Sequence, residues 1–227
     1  EIYEEDERGR DMIDYKNDEA KTQNVIQFVR ADAGIMEKEG IKRFIRKIAA
    51  VSGFHNSTIY LYFKDLDELV MLRPSDIFKK YSSDLEKLSN RHVDAYENFF
   101  AIWEYFADSA FQYSCVFYNF FFGKYSDDLT VFLNRYYDLF PEEKSALSEE
   151  IEAMYLGRNY QERCMKILAP LIGDPRTRVT KENAEIVNDI SVCFCMDLLN
   201  KKCANPEMDN EVLKKHMMDM LRFIIEK

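Results

Sequence analysis

Seven glycines and five prolines are all the punctuation that 227 residues carry. That is about half the usual share of each, which is roughly 7% and 5%, and these are the residues that let a chain turn tightly. A sandwich or barrel of short strands needs many such turns, so the composition points to long helices. The apolar spacing agrees. From Lys21, the residues Val25, Phe28, Val29, Ala31, Ile35 and Met36 fall close to the i, i+3, i+4, i+7 rhythm of one helical face. Gly40 ends that run, as a glycine past a helix C-terminus does. Ile41, Phe44, Ile45, Ile48 and Ala49 form a second run that stops at Ser52-Gly53, and a short third segment spans 56–63. Asp65 is placed to cap a helix reaching about Ser89, with a kink expected near Arg73 because Pro74 lacks a backbone donor. Further helices are expected near 92–108, 109–122, 127–139, 142–169, 181–203 and 208–226, with breaks at Gly123, Pro141, Pro170 to Pro175 and Pro206. The fold class is all-α.

Charge is distributed unevenly. The net charge of -10 would argue against a polyanionic partner if it were spread evenly. Residues 1–20 hold nine acids against three bases, whereas residues 21–64 hold eight bases against three acids. A short basic segment is therefore set between an acidic tail, expected to be mobile, and a large acidic body.

Within that basic segment, two helical runs flank a glycine turn with helix-turn-helix spacing. Ala49 permits close approach of the second helix, Gly53 accepts the positive φ that the turn requires, and Ile48 and Ile59 are placed to meet between the helices. A short second helix carrying small polar and aromatic side chains suits a major groove about 12 Å wide.

The stretch from Phe28 to Leu69 resembles the N-terminal domain of the TetR family of bacterial transcriptional regulators. The resemblance is carried by Phe28, Ala31, Ile35, Met36, Gly40, Ile48-Ala49, Gly53 and above all the string STIYLYFKDLDEL (57–69). It covers about 45 of the 227 residues. It implies an N-terminal three-helix DNA-binding domain (21–66, after the tail of 1–20) joined to a helical ligand-binding and dimerisation domain (67–227). It also implies roles. Arg46 would read a base or bind phosphate. Asn56, Ser57, Thr58 and Leu61 would line the exposed face of the recognition helix, and His55 adds a donor at the turn. Lys47, Tyr60, Tyr62 and Lys64 fit phosphate contacts that fix register. The family's usual lysine just after this helix falls at Leu66, and Lys64 is expected to replace it.

Beyond the motif, 17 of the chain's 32 aromatic residues lie between Phe99 and Phe140, among them the only tryptophan. Most are expected in the core. The resemblance implies a ligand cavity in this region, and Trp103, Phe106, Phe117, Tyr118, Phe121 and Tyr136, with Met154 opposite, are the expected lining for an apolar or aromatic small molecule. The two last helices are apolar in more than one direction, at Ile186, Ile190, Phe194 and Leu198 against Val192, Met196 and Leu199, and again at Val212, Met217, Met220, Leu221, Ile224 and Ile225. A homodimeric four-helix bundle would cover the second side, and its two-fold axis would match a palindromic operator. The reading is a regulator, a repressor released from DNA when ligand fills the cavity and shifts the segment kinked at Pro74. A TetR-like scaffold that binds a protein instead of DNA is the alternative.

Other classes find little support. No GxSxG, P-loop, GxGxxG or HExxH motif is present, and His55, His92 and His216 are far apart in sequence, so neither an enzyme nor a cofactor or metal site is expected. The longest uncharged stretch, Ser109 to Gly123, is too short for a membrane span. No secretory leader is visible, five cysteines show no CxxC pair, and Cys193 and Cys195 point to different sides of one helix. Reduced thiols in the cytoplasm are expected.

Overall fold

A computed structural model describes residues 18–30, 60–72, 76–89, 94–141 and 159–227. The chain divides into two compact units, Glu1–Asp76 and Ile77–Lys227. The boundary expected at 66/67 falls instead at the start of a helix of the first unit. Every regular element among the described residues is helical, and the sole extended pairing among them is a single bridge between Thr177 and Glu226. No helix among them is long and apolar enough to cross a membrane.

In the first unit, α1 (Glu19–Arg30) starts at Asp18, whose carboxylate accepts the Lys21 amide at 3.0 Å. Its inward face presents Val25, Phe28 and Val29, all buried. Phe28 meets Tyr62 at 5.6 Å between ring centroids and Phe63 edge-on at 6.1 Å. The next described helix, α2 (Leu66–Met71), is capped by the expected residue: Asp65 accepts the Glu68 amide at 2.9 Å. Glu68 reaches back to accept the Lys64 amide, one residue before the cap, which satisfies a carboxylate that is almost fully buried here. Leu69, Met71 and Leu72 add the rest of the described core of this unit. The second half of the first helical run, the whole second run and residues 56–59 lie outside the described residues, as does Pro74.

The second unit contains α3 (Asp76–Ser89), α4 (Ala95–Gln112), α5 (Ser114–Phe122), α6 (Leu129–Leu139), α7 (Tyr160–Leu168), α8 (Ala184–Ala204) and α9 (Asn210–Ile225). Caps explain where three of them begin. Asp94, Asn159 and Asp209 accept amides of the first turns of α4, α7 and α9 at 2.8–3.1 Å. The break between α5 and α6 needs glycine for a steric reason: a Cβ on Gly123 would run into the carbonyl oxygen of Asn119, which accepts the Gly123 amide. At Gly173 the reason is conformational, a φ of +84° in the turn after α7. The long helix α8 packs on α5, α7 and α9, and α9 packs on α4.

Two polar devices close this unit. Arg176 donates to Asp94 and Asp174 at 2.6–3.1 Å and lies 4.4 Å from the Tyr96 ring centroid, while the Tyr96 hydroxyl donates to Glu226. The start of α4, the loop after α7 and the end of α9 are thereby held together. At the α8–α9 turn, the Lys202 ammonium is buried but donates to the carbonyls of Pro206 and Met208, so its charge is solvated by backbone oxygen rather than water.

Candidate functional site

The aromatic-rich segment divides its rings among separate jobs. On α4, Phe99, Trp103, Phe106 and Ala110 follow helical spacing, and all are buried. Trp103 and Phe106 meet at 5.8 Å, and both face Tyr160 of α7, at 6.3 and 5.5 Å. Phe121 of α5 closes on Tyr160 at 4.6 Å. These rings wall a cavity of 40 Å³, completed by Tyr81 and Leu85 of α3, Ile102, Phe120, and Arg163, Cys164 and Ile167 of α7.

The structure therefore brings three expected lining residues, Trp103, Phe106 and Phe121, to one cavity. Three others fall elsewhere. Phe117 is fully buried behind the wall, its ring against Tyr81, Phe106 and Phe121 at 5.3–6.0 Å. Tyr118 turns away and packs on Phe122 at 6.0 Å, because it follows Phe117 by one residue and so points about 100° off. Tyr136 packs on Phe140 and Tyr137 at 4.7 and 5.7 Å along α6. Met154 lies outside the described residues. Sequence reasoning missed the contribution of α3 and α7. A signal for α7 was present: Tyr160, Arg163, Cys164 and Ile167 recur at i, i+3, i+4, i+7, which puts an arginine on an otherwise apolar face.

Polar groups in this wall are few and buried. Tyr160 is 6% exposed, and burial holds its phenol well above the ordinary value. Burial likewise pushes the Cys164 thiol up to about 12 and raises Cys195, so these thiols stay protonated and inert. Cys193 and Cys195 are indeed split, one exposed and one buried. Arg163 is 5% exposed and has interactions within the protein. The indole N–H of Trp103 is sealed from water without any hydrogen-bond acceptor. Such an orphan costs about 1–3 kcal/mol. Among the described residues, no carboxylate lines the cavity. Among the described residues, no group of three or more side chains is arranged to hold a metal ion.

In the first unit, the end of the expected recognition segment shows a division of labour. Tyr60 and Leu61 are 49% and 67% exposed, and Lys64 is exposed beside them. Tyr62 and Phe63 turn inward. The sequence places Tyr62 at the phosphate backbone, but its ring is buried on Phe28 and its hydroxyl accepts from Asn24 at 2.8 Å. A phosphate contact from Tyr62 is left with the hydroxyl proton alone. Arg46, Lys47, His55, Asn56, Ser57 and Thr58 lie outside the described residues.

On α8 the apolar residues lie on more than one side, but Leu198 and Met196 exchange places relative to the expected groups. Val192, Leu198 and Leu199 are buried, while Ile186 (61% exposed), Ile190 and Met196 face out. On α9, Met217, Leu221 and Ile225 are buried, while Val212 (66%) and Phe223 (78%) face out. Phe194 and His216 bridge the two helices edge to face at 5.1 Å.

No protein-family model matches the chain, and no curated protein sequence does. Among solved structures, the SmeT–triclosan complex is similar over 92% of this chain and 92% of that one, at 16% identity and a TM-score of 0.46.

Proposed function

We propose that this chain is a TetR-like transcriptional regulator, acting in the cytoplasm as a homodimeric repressor that releases a palindromic operator when an aromatic small molecule enters the second unit. The observation that supports it most is the inside-outside split at 60–64. Tyr62 and Phe63 pin the end of the recognition segment to α1, and Tyr60, Leu61 and Lys64 are left outward, as a groove-reading element requires. Asn56, Ser57, Thr58 and Leu61 would line the face of that segment turned to the bases, Arg46 would reach a base or phosphate from the run before it, His55 would add a donor at the turn, and Lys47, Tyr60 and Lys64 would contact the phosphate backbone. The outward apolar faces of α8 and α9 would pair with their copies about a two-fold axis. Two lining residues, Tyr81 and Leu85, stand on α3, which follows the first unit in sequence. A ligand that displaces Leu85 acts on the segment through which the chain enters the second unit.

Fluorescence anisotropy with duplexes from the regions flanking its own gene tests the reading. Specific binding should fall steeply with salt, with a log–log slope near about -0.9 for each phosphate neutralised. Arg46→Ala should weaken specific binding by at least about tenfold, the loss of one good base contact. Retention of full specificity by Arg46→Ala and Tyr60→Ala together, or binding indifferent to duplex sequence, would refute it.

A further inference from the structure

We infer that the cavity between α3, α4, α5 and α7 is a site for an aromatic anion, a ring bearing a carboxylate or phenolate oxygen, received by the Trp103 indole N–H and the Arg163 guanidinium. The inference rests on the ligand-responsive function proposed for this chain and narrows the class of ligand.

The rings set the shape of the guest. Tyr81, Trp103, Phe106, Phe121 and Tyr160 present apolar faces and edges from three directions, a lining that favours a flat, unsaturated molecule. The polar groups set its charge. Indole N–H is a donor only, and guanidinium offers five donors and no acceptor. Cys164 and Tyr160, held protonated, add hydrogens and no negative charge, and among the described residues no aspartate or glutamate faces the space. A guest with an acceptor oxygen would meet the orphaned Trp103 donor, whereas a hydrocarbon would leave it orphaned and an ammonium ion would meet a like charge at Arg163. Arg163 already interacts within the protein. Its fork of five N–H groups can keep those partners and still donate to a carboxylate, which a lysine could not do with the same geometry.

Size adds a mechanical consequence. A dry cavity that holds benzene is roughly 150 Å³, nearly four times the 40 Å³ found here. A ring therefore enters only by moving wall side chains outward. The rings of α4, α5 and α7 are locked against one another, and Tyr81 of α3 joins them, stacked on Tyr105 and edge-on to Phe106 and Phe117, so Leu85 on α3, which adds no ring to that cluster, is the part of the wall assigned to yield.

Calorimetric titration of the full chain at about pH 7.5 with benzoate, 4-nitrophenolate, toluene and benzylamine tests this. Benzoate or 4-nitrophenolate should bind at least tenfold tighter than toluene, and benzylamine weakest. Arg163→Met should erase the preference for anion over hydrocarbon, and Trp103→Phe should weaken the anion alone by three- to tenfold. Arg163→Lys serves if Arg163→Met fails to fold by circular dichroism, and it should lose most of the anion's advantage. Equal binding of all four, a preference for benzylamine, or anion affinity unchanged in both Trp103→Phe and Arg163→Lys would overturn the inference and leave the cavity a ligand site. Failure of all four compounds to bind would overturn the cavity reading as well.

Discussion

Phe117→Ala puts a number on the distinction between wall and core. Phe117 is completely buried, and its ring touches those of Tyr81, Phe106 and Phe121. A buried aromatic side chain of this kind removes roughly 150–250 Å² from water, which at ~25 cal/mol per Å² is about 4–6 kcal/mol. Alanine keeps part of that, and the extended-chain reference overstates the rest. Measured truncations of buried phenylalanine cost about 3–5 kcal/mol, so the expected loss is about 4 kcal/mol. For a chain of this length each kcal/mol lowers the melting temperature by roughly 2–4 °C, giving a fall of about 8–16 °C. Urea denaturation followed by Trp103 emission is the assay, since the only tryptophan sits in the same ring cluster and reports the second unit. The midpoint should fall with the slope unchanged. A loss under about 1 kcal/mol would refute this packing and return Phe117 to the cavity wall.

Two further outcomes are expected. Asp174 is held down to about 2, first by hydrogen bonds from the Arg176 side chain, and Asp94 is lowered for the same leading reason. An unfolded aspartate titrates near about 3.9, so this stabilisation is complete above about pH 4 and disappears as pH falls through the folded values toward 2. The melting temperature of Arg176→Ala should decline less between about pH 5 and pH 2.5 than that of the parent chain, and parallel declines would count against the cluster. Phe223→Asp places a charge on the most exposed large apolar side chain among the described residues. If α8 and α9 form the dimer, burial of that ring is worth about 3 kcal/mol per copy, and light scattering should show the dimer dissociating at least 100-fold more readily while the helical signal persists. An unchanged dimer would move the interface elsewhere, and a monomeric parent chain would remove it.

The local signals in this chain were reliable because they are short-range. Asp65 caps what its spacing to the following amide says it should cap, and Gly123 interrupts a helix because nothing larger fits beside Asn119, whereas the cap at Asn159 starts a helix inside the run expected to continue from 142 to 169. The 3.6-residue rhythm located α4, α5, α8 and α9 to within a few residues and showed that α8 and α9 are apolar on opposing sides. Charge segregation and the string ending at Leu69 singled out the part of the chain proposed to meet DNA. What periodicity cannot convey is which face meets which neighbour. Phe117 and Phe121 share a face of α5, yet one is sealed behind the wall and the other forms it. Tyr160, Arg163 and Cys164 join Trp103 from some 60 positions away.

Tyr62 shows the same limit on a smaller scale, its exposure decided by Phe28 and Asn24 of α1 rather than by its neighbours in sequence. Helix identity, capping and amphipathicity were thus written in the chain, since each depends on groups within a turn or two of one another. The cavity, its orphaned indole donor and its buried guanidinium were decided only when four helices closed together. A gap between elements is a property of their packing and of no single stretch of residues.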